Sequence, residues 1–288
     1  MYYYFDETAD QGYVDKTSTL NEYGIIAGFV FPERKKEEFE KRFDSVLFSL
    51  KQKDFNKLHC TEIFKDNKNE KVREELYQIF SELNEYAIIY EGAYSVGVKQ
   101  NEEILKEAVN KAAAKRPDNI KVVKSKSRTR LYNTLLIRVI VKLEECAIKE
   151  RETEVYMLSD NIDPTIQKEA KSLLSSLQSN KSSFPVNSFN TETKVKTEVW
   201  YDLEIKSEKA YISRVRSLSF EKTVTPLSFA ADFLCFELLR HFRRKMKIHK
   251  PINFHSKEIL EGFCLKHKVA FLGNNYYSDL AYKPHCVE

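Results

Sequence analysis

Glycine is scarce in this chain of 288 residues, which contains only seven. Rossmann and P-loop enzymes need several glycines close together, because only glycine lets the backbone turn sharply and approach a phosphate. Neither G-x-G-x-x-G nor G-K-[ST] occurs in the sequence. The sequence therefore argues against both of these nucleotide-binding classes.

Paired cysteines, a leader segment and long apolar runs are also lacking. The five cysteines lie far apart and form no C-x-x-C pair, which is typical of core thiols in a reducing compartment. The amino-terminal residues MYYYFD do not resemble a signal peptide, and charges interrupt every apolar run before about 18 residues. We therefore expect a cytoplasmic protein that does not span a membrane.

Charge is nearly balanced, with 47 basic and 43 acidic residues, so the net charge of +4 does not by itself indicate a nucleic-acid partner. Two basic runs are more informative. Lys111–Arg130 holds eight basic residues and one acid, and His241–Lys250 holds five basic residues and none. Either run could simply be a solvated surface. Because such runs also bind phosphate backbones, we predict DNA or RNA contacts at Lys124, Lys126, Arg128, Arg130, Arg243 and Arg244.

The apolar patterning predicts an α/β fold with a mixed central sheet flanked by helices. Strands are expected at Tyr2–Phe5, Tyr23–Phe31, Ala87–Val98, Val155–Leu158, Val195–Ile205 and Tyr211–Phe220. Helices are expected at Glu33–Lys51, Asn69–Leu83, Leu131–Ile148, Pro164–Leu177 and Pro226–Phe242. We predict one domain over residues 1–245, with a basic and helical insertion at about 99–130, and an extension over 246–288 that packs on it.

Four acidic residues stand where the pattern favours apolar or neutral side chains. Asp6 follows an aromatic strand, Asp160 follows an apolar strand, and Asp232 lies within an apolar helix. Glu62 comes three residues after His59, which would place both on one face of a helix. Hard cations such as Mg²⁺ and Mn²⁺ bind several carboxylate oxygens, and two ions about 4 Å apart can assist phosphodiester cleavage. We therefore predict a metal site, in which His59 is a proton shuttle or a phosphate contact.

Each of these residues also has a simpler interpretation. Asp160 could cap the following helix, although Asp163 before Pro164 is the better cap. Asp6 could be a turn residue, and Asp232 could lie on a solvent-exposed stripe. Glu7 is better explained as a loop residue than as a ligand.

The chain resembles a prokaryotic family, the domain of unknown function 3800 family, which is regarded as ribonuclease-H-like. The matching pieces span roughly residues 2–240. They are Phe5-Asp6-Glu7, Leu58-His59-Cys60-Thr61-Glu62, Leu158-Ser159-Asp160 and Ala230-Ala231-Asp232-Phe233-Leu234. The resemblance implies a ribonuclease-H-like sheet, phosphodiester chemistry with a divalent metal, and a setting in phage defence or mobile elements. The chain departs from the family pattern where Thr8-Ala9 replaces the usual Ser-Gly. In ribonuclease H itself the helix-borne glutamate follows the third strand, whereas Glu62 precedes it here.

Three functions compete at this point. A nuclease dependent on Mg²⁺ or Mn²⁺ requires Asp6, Asp160 and Asp232 to converge. An inactive ribonuclease-H-like module that binds nucleic acid or a protein partner would leave them scattered. A small-molecule phosphatase would need a closed pocket with few basic residues at its rim. Whether a protein activator is needed stays open.

Overall fold

The computed structural model describes residues 1–9, 21–52, 58–100, 103, 120–123, 130–179, 181–190, 193–204, 212–248 and 251–270. The strands are β1 Tyr2–Ala9, β2 Tyr23–Phe31, β3 Ala87–Tyr94, β4 Ile120–Val123, β5 Val155–Ser159, β6 Lys181–Asn190, β7 Lys196–Glu204 and β8 Val215–Phe220. The α-helices discussed below are α1 Lys36–Lys51, α2 Cys60–Ile63, α3 Glu70–Glu82, α4 Leu131–Glu150, α5 Pro164–Gln178 and α6 Pro226–Ile248.

Five strands form a mixed sheet in the order β3-β2-β1-β5-β8. The first three strands along the chain form an antiparallel meander, whereas β5 and β8 are added parallel to β1. Helices cover both faces of the sheet. The α/β class and the mixed, helix-flanked sheet that the patterning predicts are therefore confirmed.

The alternation of side chains along β1 divides the core into two clusters. Tyr4 packs on the face that α1, α3 and α6 cover. Tyr3 and Phe5 pack on the opposite face, beneath α4 and α5. All three rings are at most 2% exposed, so both faces of β1 are buried and its register is strongly fixed.

A notch lies at the carboxyl ends of the neighbouring strands β1 and β5, because β1 extends further than β5. The pairing between these strands ends at Phe5 and Ser159, while β1 stays paired with β2 as far as Ala9. The segment 6–9 therefore projects beyond the end of β5. Helix α5 also begins at the carboxyl end of β5, since it is the next element along the chain.

The structure differs from the sequence prediction at several element boundaries. Strand β1 continues beyond its predicted end at Phe5 and includes Asp6 and Glu7. Strand β3 ends at Tyr94 instead of Val98, because the backbone is helical at 95–100. Helix α6 continues beyond its predicted end at Phe242 to Ile248. Strand β6 was not expected, because serines and Pro185 disfavour a strand. In the structure Pro185 is opposite Trp200 of β7, and the pairing of β4 with β6 covers only Asn187–Asn190.

The other three strands form a second sheet in the order β4-β6-β7. The long β6–β7 hairpin comes from the segment between α5 and β8, and β4 comes from the segment predicted as an insertion. The two insertions thus pair with each other through β4 and β6.

Residues 251–270 cover the outer edge of β3. The Ala270 N–H donates to the Ile88 carbonyl at 2.9 Å, and Phe254 packs where a side chain on Gly92 would lie. Within the described part of the chain, no helix is long and apolar enough to cross a membrane.

A buried ion-pair network joins β3 to α4 and to this carboxy-terminal segment. The Glu91 carboxylate lies 2.7 Å from Lys142 Nζ and 3.2 Å from His255 Nε2. Burial alone would raise the pKa of Glu91, but Lys142 and His255 together hold it at about 2. The network therefore depends on an ionised Glu91.

Replacing Glu91 with glutamine tests this network. Because the change leaves Lys142 buried without its counter-charge, we expect the free energy of unfolding to fall by about 3–5 kcal/mol. The pKa of Glu91 is lower in the folded state, so wild-type protein gains stability above about pH 4.5 and loses it as the pH falls towards 2. Urea unfolding of wild type and Glu91→Gln across this pH range measures the dependence of stability on pH, which should be weaker in the variant. The exposed control Glu75→Gln should resemble wild type, and equal stability of the two variants would contradict the account.

Candidate metal centre

The notch brings together three carboxylates from two strands. Asp6 and Glu7 lie in β1, and Asp160 directly follows β5. One oxygen from each of these residues lies within 4.8 Å of the other two. Adjacent residues of a strand normally point to opposite faces. Here β5 has ended, so both β1 side chains can reach Asp160.

The helix that follows β5 leaves Asp160 available for this cluster. Asp163 caps α5, because its side chain accepts hydrogen bonds from the N–H groups of Thr165 at 2.8 Å and Ile166 at 3.4 Å. Pro164 takes the first helical position. The prediction that Asp163 is the cap is confirmed, and Asp160 is not needed for that purpose.

Asp232 approaches the same cleft from α6. It is 9% exposed, and its Oδ2 accepts a hydrogen bond of 2.8 Å from the Cys60 N–H. The same oxygen lies 3.6 Å from His59 Nδ1. The cleft is lined by Asp6, Glu7, Thr8, His59, Thr61, Asp160, Asn161, Ile162, Asp163, Asp232 and Phe236. Asp6, Asp160 and Asp232, which a nuclease would require to converge, thus line one cleft.

The electrostatics of the cleft show strong mutual repulsion. Burial raises the pKa of Asp6 well above its usual value, and the charges of Glu7, Asp232 and Asp160 raise it further. Burial and Asp232 also raise the pKa of Asp160, although His59 and a hydrogen bond with Asp6 oppose this. A cluster of this kind holds protons unless a cation compensates the negative charge.

The outer part of the cleft is less acidic. His59 has an extended backbone and precedes α2, so it does not share a helical face with Glu62 as the sequence suggested. The Asp232 carboxylate, 3.6 Å away, raises the pKa of His59, whose side chain is 45% exposed. Glu62 is exposed and does not line the cleft, although its charge reaches His59.

The predicted nucleic-acid contacts lie at different distances from the acids. Arg130 immediately precedes α4 and pairs with Glu169 at 2.8 Å. The hydrogen bonds from Thr165 lower the pKa of Asp163 at the cleft, and the charge of Arg130 contributes to this. Arg243 and Arg244 are exposed on α6, and Arg243 Nε donates to Tyr23 Oη at 3.2 Å. These two arginines lie within α6, about 16–18 Å along its axis from Asp232, and not in a segment after the helix. The other three predicted contacts, Lys124, Lys126 and Arg128, lie outside the described residues.

Sequence reasoning missed Glu7, which it assigned to a loop. The signal that could have revealed it is the continuation of β1 beyond Phe5, but that depends on pairing with β2. The end of β5 at Ser159, which opens the space, is likewise visible only in the sheet register.

Comparisons with known proteins give little further guidance. No family model matches the chain, and no curated protein matches it. Among solved structures, a chain of the "PCNA:RNase HII complex from Archaeoglobus fulgidus" is 12% identical, covering 96% of this chain and 95% of that one, with a TM-score of 0.31. Similarity at that level supports no functional conclusion, so the function must be argued from the cleft itself.

Two substitutions three residues apart test the repulsion within the cluster. In EDTA at neutral pH, Asp160→Asn should raise the free energy of unfolding by about 1–2 kcal/mol, because it removes one of the repelling charges. Asp163→Ala should lower it by about 1 kcal/mol, because α5 loses its cap. Thermal unfolding of both variants would measure this difference. A loss of stability in Asp160→Asn would show that the acids do not repel one another as described.

Proposed function

We propose that this protein is a divalent-metal-dependent nuclease that hydrolyses phosphodiester bonds of DNA or RNA. The observation that carries the proposal is the approach of the Asp6, Glu7 and Asp160 oxygens to within 4.8 Å of one another. Asp232, lining the same cleft, supplies a fourth carboxylate. Such a concentration of repelling charge is costly to the fold and is best explained by a cation that it binds.

The donor atoms of the cleft fit Mg²⁺ or Mn²⁺. Hard cations of this kind prefer several carboxylate oxygens, whereas zinc sites are usually built from histidine and thiolate. The nearby Cys60 thiol is buried and its pKa is raised, so it stays protonated and is a poor ligand. When bound, the metal would supply an activated water and neutralise the charge that develops on the phosphate.

The protein groups have distinct roles in this proposal. Asp6, Glu7 and Asp160 hold the cation, and the Cys60 N–H fixes Asp232 beside them. His59, partly exposed and 3.6 Å from Asp232, can contact the phosphate or give a proton to the leaving oxygen. Glu62, exposed near His59, is the least supported of the proposed catalytic residues.

The family assignment is part of the same proposal. The strand order β3-β2-β1-β5-β8 is consistent with a ribonuclease-H-like fold. Together with the four quoted sequence pieces, this order supports membership of the domain of unknown function 3800 family. A role in phage defence or a mobile element would follow from that membership by analogy.

A nucleic-acid substrate is favoured over a small phosphate ester by the surroundings of the cleft. The His59 side chain at the rim is 45% exposed, so the cleft is open to solvent on that side. Arg130 lies near Asp163 on one side, and Arg243 and Arg244 are exposed further along α6. These cations can bind the phosphates that flank the cleavage point.

A cleavage assay tests the proposed function. Labelled single- and double-stranded RNA and DNA would be incubated with wild-type protein and Mn²⁺, Mg²⁺ or EDTA. We expect cleavage with a metal, no cleavage in EDTA, and a loss of at least about 100-fold in Asp160→Asn, because a metal ligand is removed. The control Asp44→Asn changes an exposed aspartate on α1 and should cleave at the wild-type rate.

Two other outcomes would reject a nuclease of this kind. Binding of nucleic acid without cleavage of any substrate, unchanged in Asp160→Asn, would favour a binding module. Equal activity in Asp160→Asn and wild type would place the chemistry outside the acidic cleft.

A further inference from the structure

Tyr132 is buried beside the acidic cleft without a hydrogen-bond partner for its hydroxyl. It is the second residue of α4, and its side chain packs with Tyr3 and Phe5 beneath β1. The residue is 1% exposed. Its hydroxyl oxygen has no hydrogen-bond partner among the described residues.

Two other buried tyrosines of the sheet have hydrogen-bond partners for their hydroxyls. Tyr3 donates to the Ile89 carbonyl at 3.1 Å, and Tyr90 donates to the Phe254 carbonyl. A buried hydroxyl left without a partner costs about 1–3 kcal/mol relative to one that is hydrogen-bonded. Phenylalanine at position 132 would avoid this cost, so the hydroxyl calls for an explanation other than packing.

The carboxylates of the acidic cluster are close enough to Tyr132 to act electrostatically on its hydroxyl. The negative charges that act on Tyr132 are those of Glu7, Asp6 and Asp160, in decreasing order. Burial and these charges raise the pKa of Tyr132 well above 10, so the phenol is a hydrogen-bond donor at neutral pH. It is thus a donor without an acceptor, next to the residues that are proposed to bind a cation.

A second hydroxyl is in a similar position. Ser159, directly before Asp160, is fully buried, and its Oγ has no hydrogen-bond partner among the described residues. By alternation along β5, its side chain is on the same face as Met157, which packs in the cluster that contains Tyr132. Both unpaired hydroxyls therefore lie on the face of the sheet beneath the cleft.

We propose that Tyr132 is a positioning residue of the metal site, whose phenol donates a hydrogen bond to the Glu7 carboxylate when that carboxylate binds a cation. This inference rests on the proposed function. Carboxylates that bind metals are themselves held by hydrogen bonds, and loss of such a partner typically weakens metal binding by about 10–100-fold. Tyr132 supplies the donor for Glu7, as the Cys60 N–H does for Asp232.

The Tyr132→Phe variant tests the inference, because it removes a single oxygen atom. In EDTA its melting temperature should equal or exceed that of wild type, since no hydrogen bond is lost. Its affinity for Mn²⁺, measured by calorimetry without substrate, should fall about 10-fold or more. The control Tyr90→Phe, which loses the bond to Phe254, should show the reverse: a lower melting temperature and an unchanged Mn²⁺ affinity.

A double-substitution cycle identifies the acceptor. In a Glu7→Gln background, Tyr132→Phe should weaken Mn²⁺ binding by much less than it does in wild type. Unchanged Mn²⁺ affinity in Tyr132→Phe, with wild-type protein binding the ion, would overturn this inference and leave the proposed function intact. Failure of wild-type protein to bind Mn²⁺ at all would overturn both.

Discussion

The repulsion between carboxylates in the notch is the constraint on which the site depends. Asp6, Glu7 and Asp160 are held close together although burial and mutual charge raise the pKa of both aspartates. A flexible loop would relax and separate them. The sheet prevents this, because β1 is paired with β2 through Ala9 and both of its faces are buried. The fold thus maintains an arrangement whose repulsion is relieved by bound protons or by a bound cation.

The two sides of the sheet contribute different parts of the site. From one side, α6 brings Asp232, and the Cys60 N–H at the start of α2 holds that carboxylate in place. From the other side, α4 brings Tyr132 beneath the acids, and the same helix is tied to β3 by Lys142 and Glu91. The buried ion pair and the aromatic packing therefore determine where the groups around the acids lie.

The sequence was sufficient to predict the fold class and the region of the site, but not its full composition. Asp160 and Asp232 are conspicuous because acids are unusual at the end of an apolar strand and inside an apolar helix. Glu7 could not be recognised, since its role depends on where β5 stops relative to β1.

The predicted helical alignment of His59 with Glu62 was wrong because α2 begins only at Cys60. Tyr132 has no sequence signal, because in a helix with many buried apolar residues a tyrosine looks like core. Strand β6 was hidden by Pro185, because proline disfavours a strand.

The most direct test of the account is to locate a bound ion. Crystals of the protein soaked in MnCl₂ and measured at the manganese absorption edge would reveal the ion by its anomalous signal. The account predicts a peak in the notch, with oxygens of Asp6, Glu7 and Asp160 at about 2.0–2.3 Å, and no such peak in crystals of Asp160→Asn. Absence of a peak in the notch of wild-type crystals at millimolar Mn²⁺, or a peak only elsewhere, would contradict the central claim.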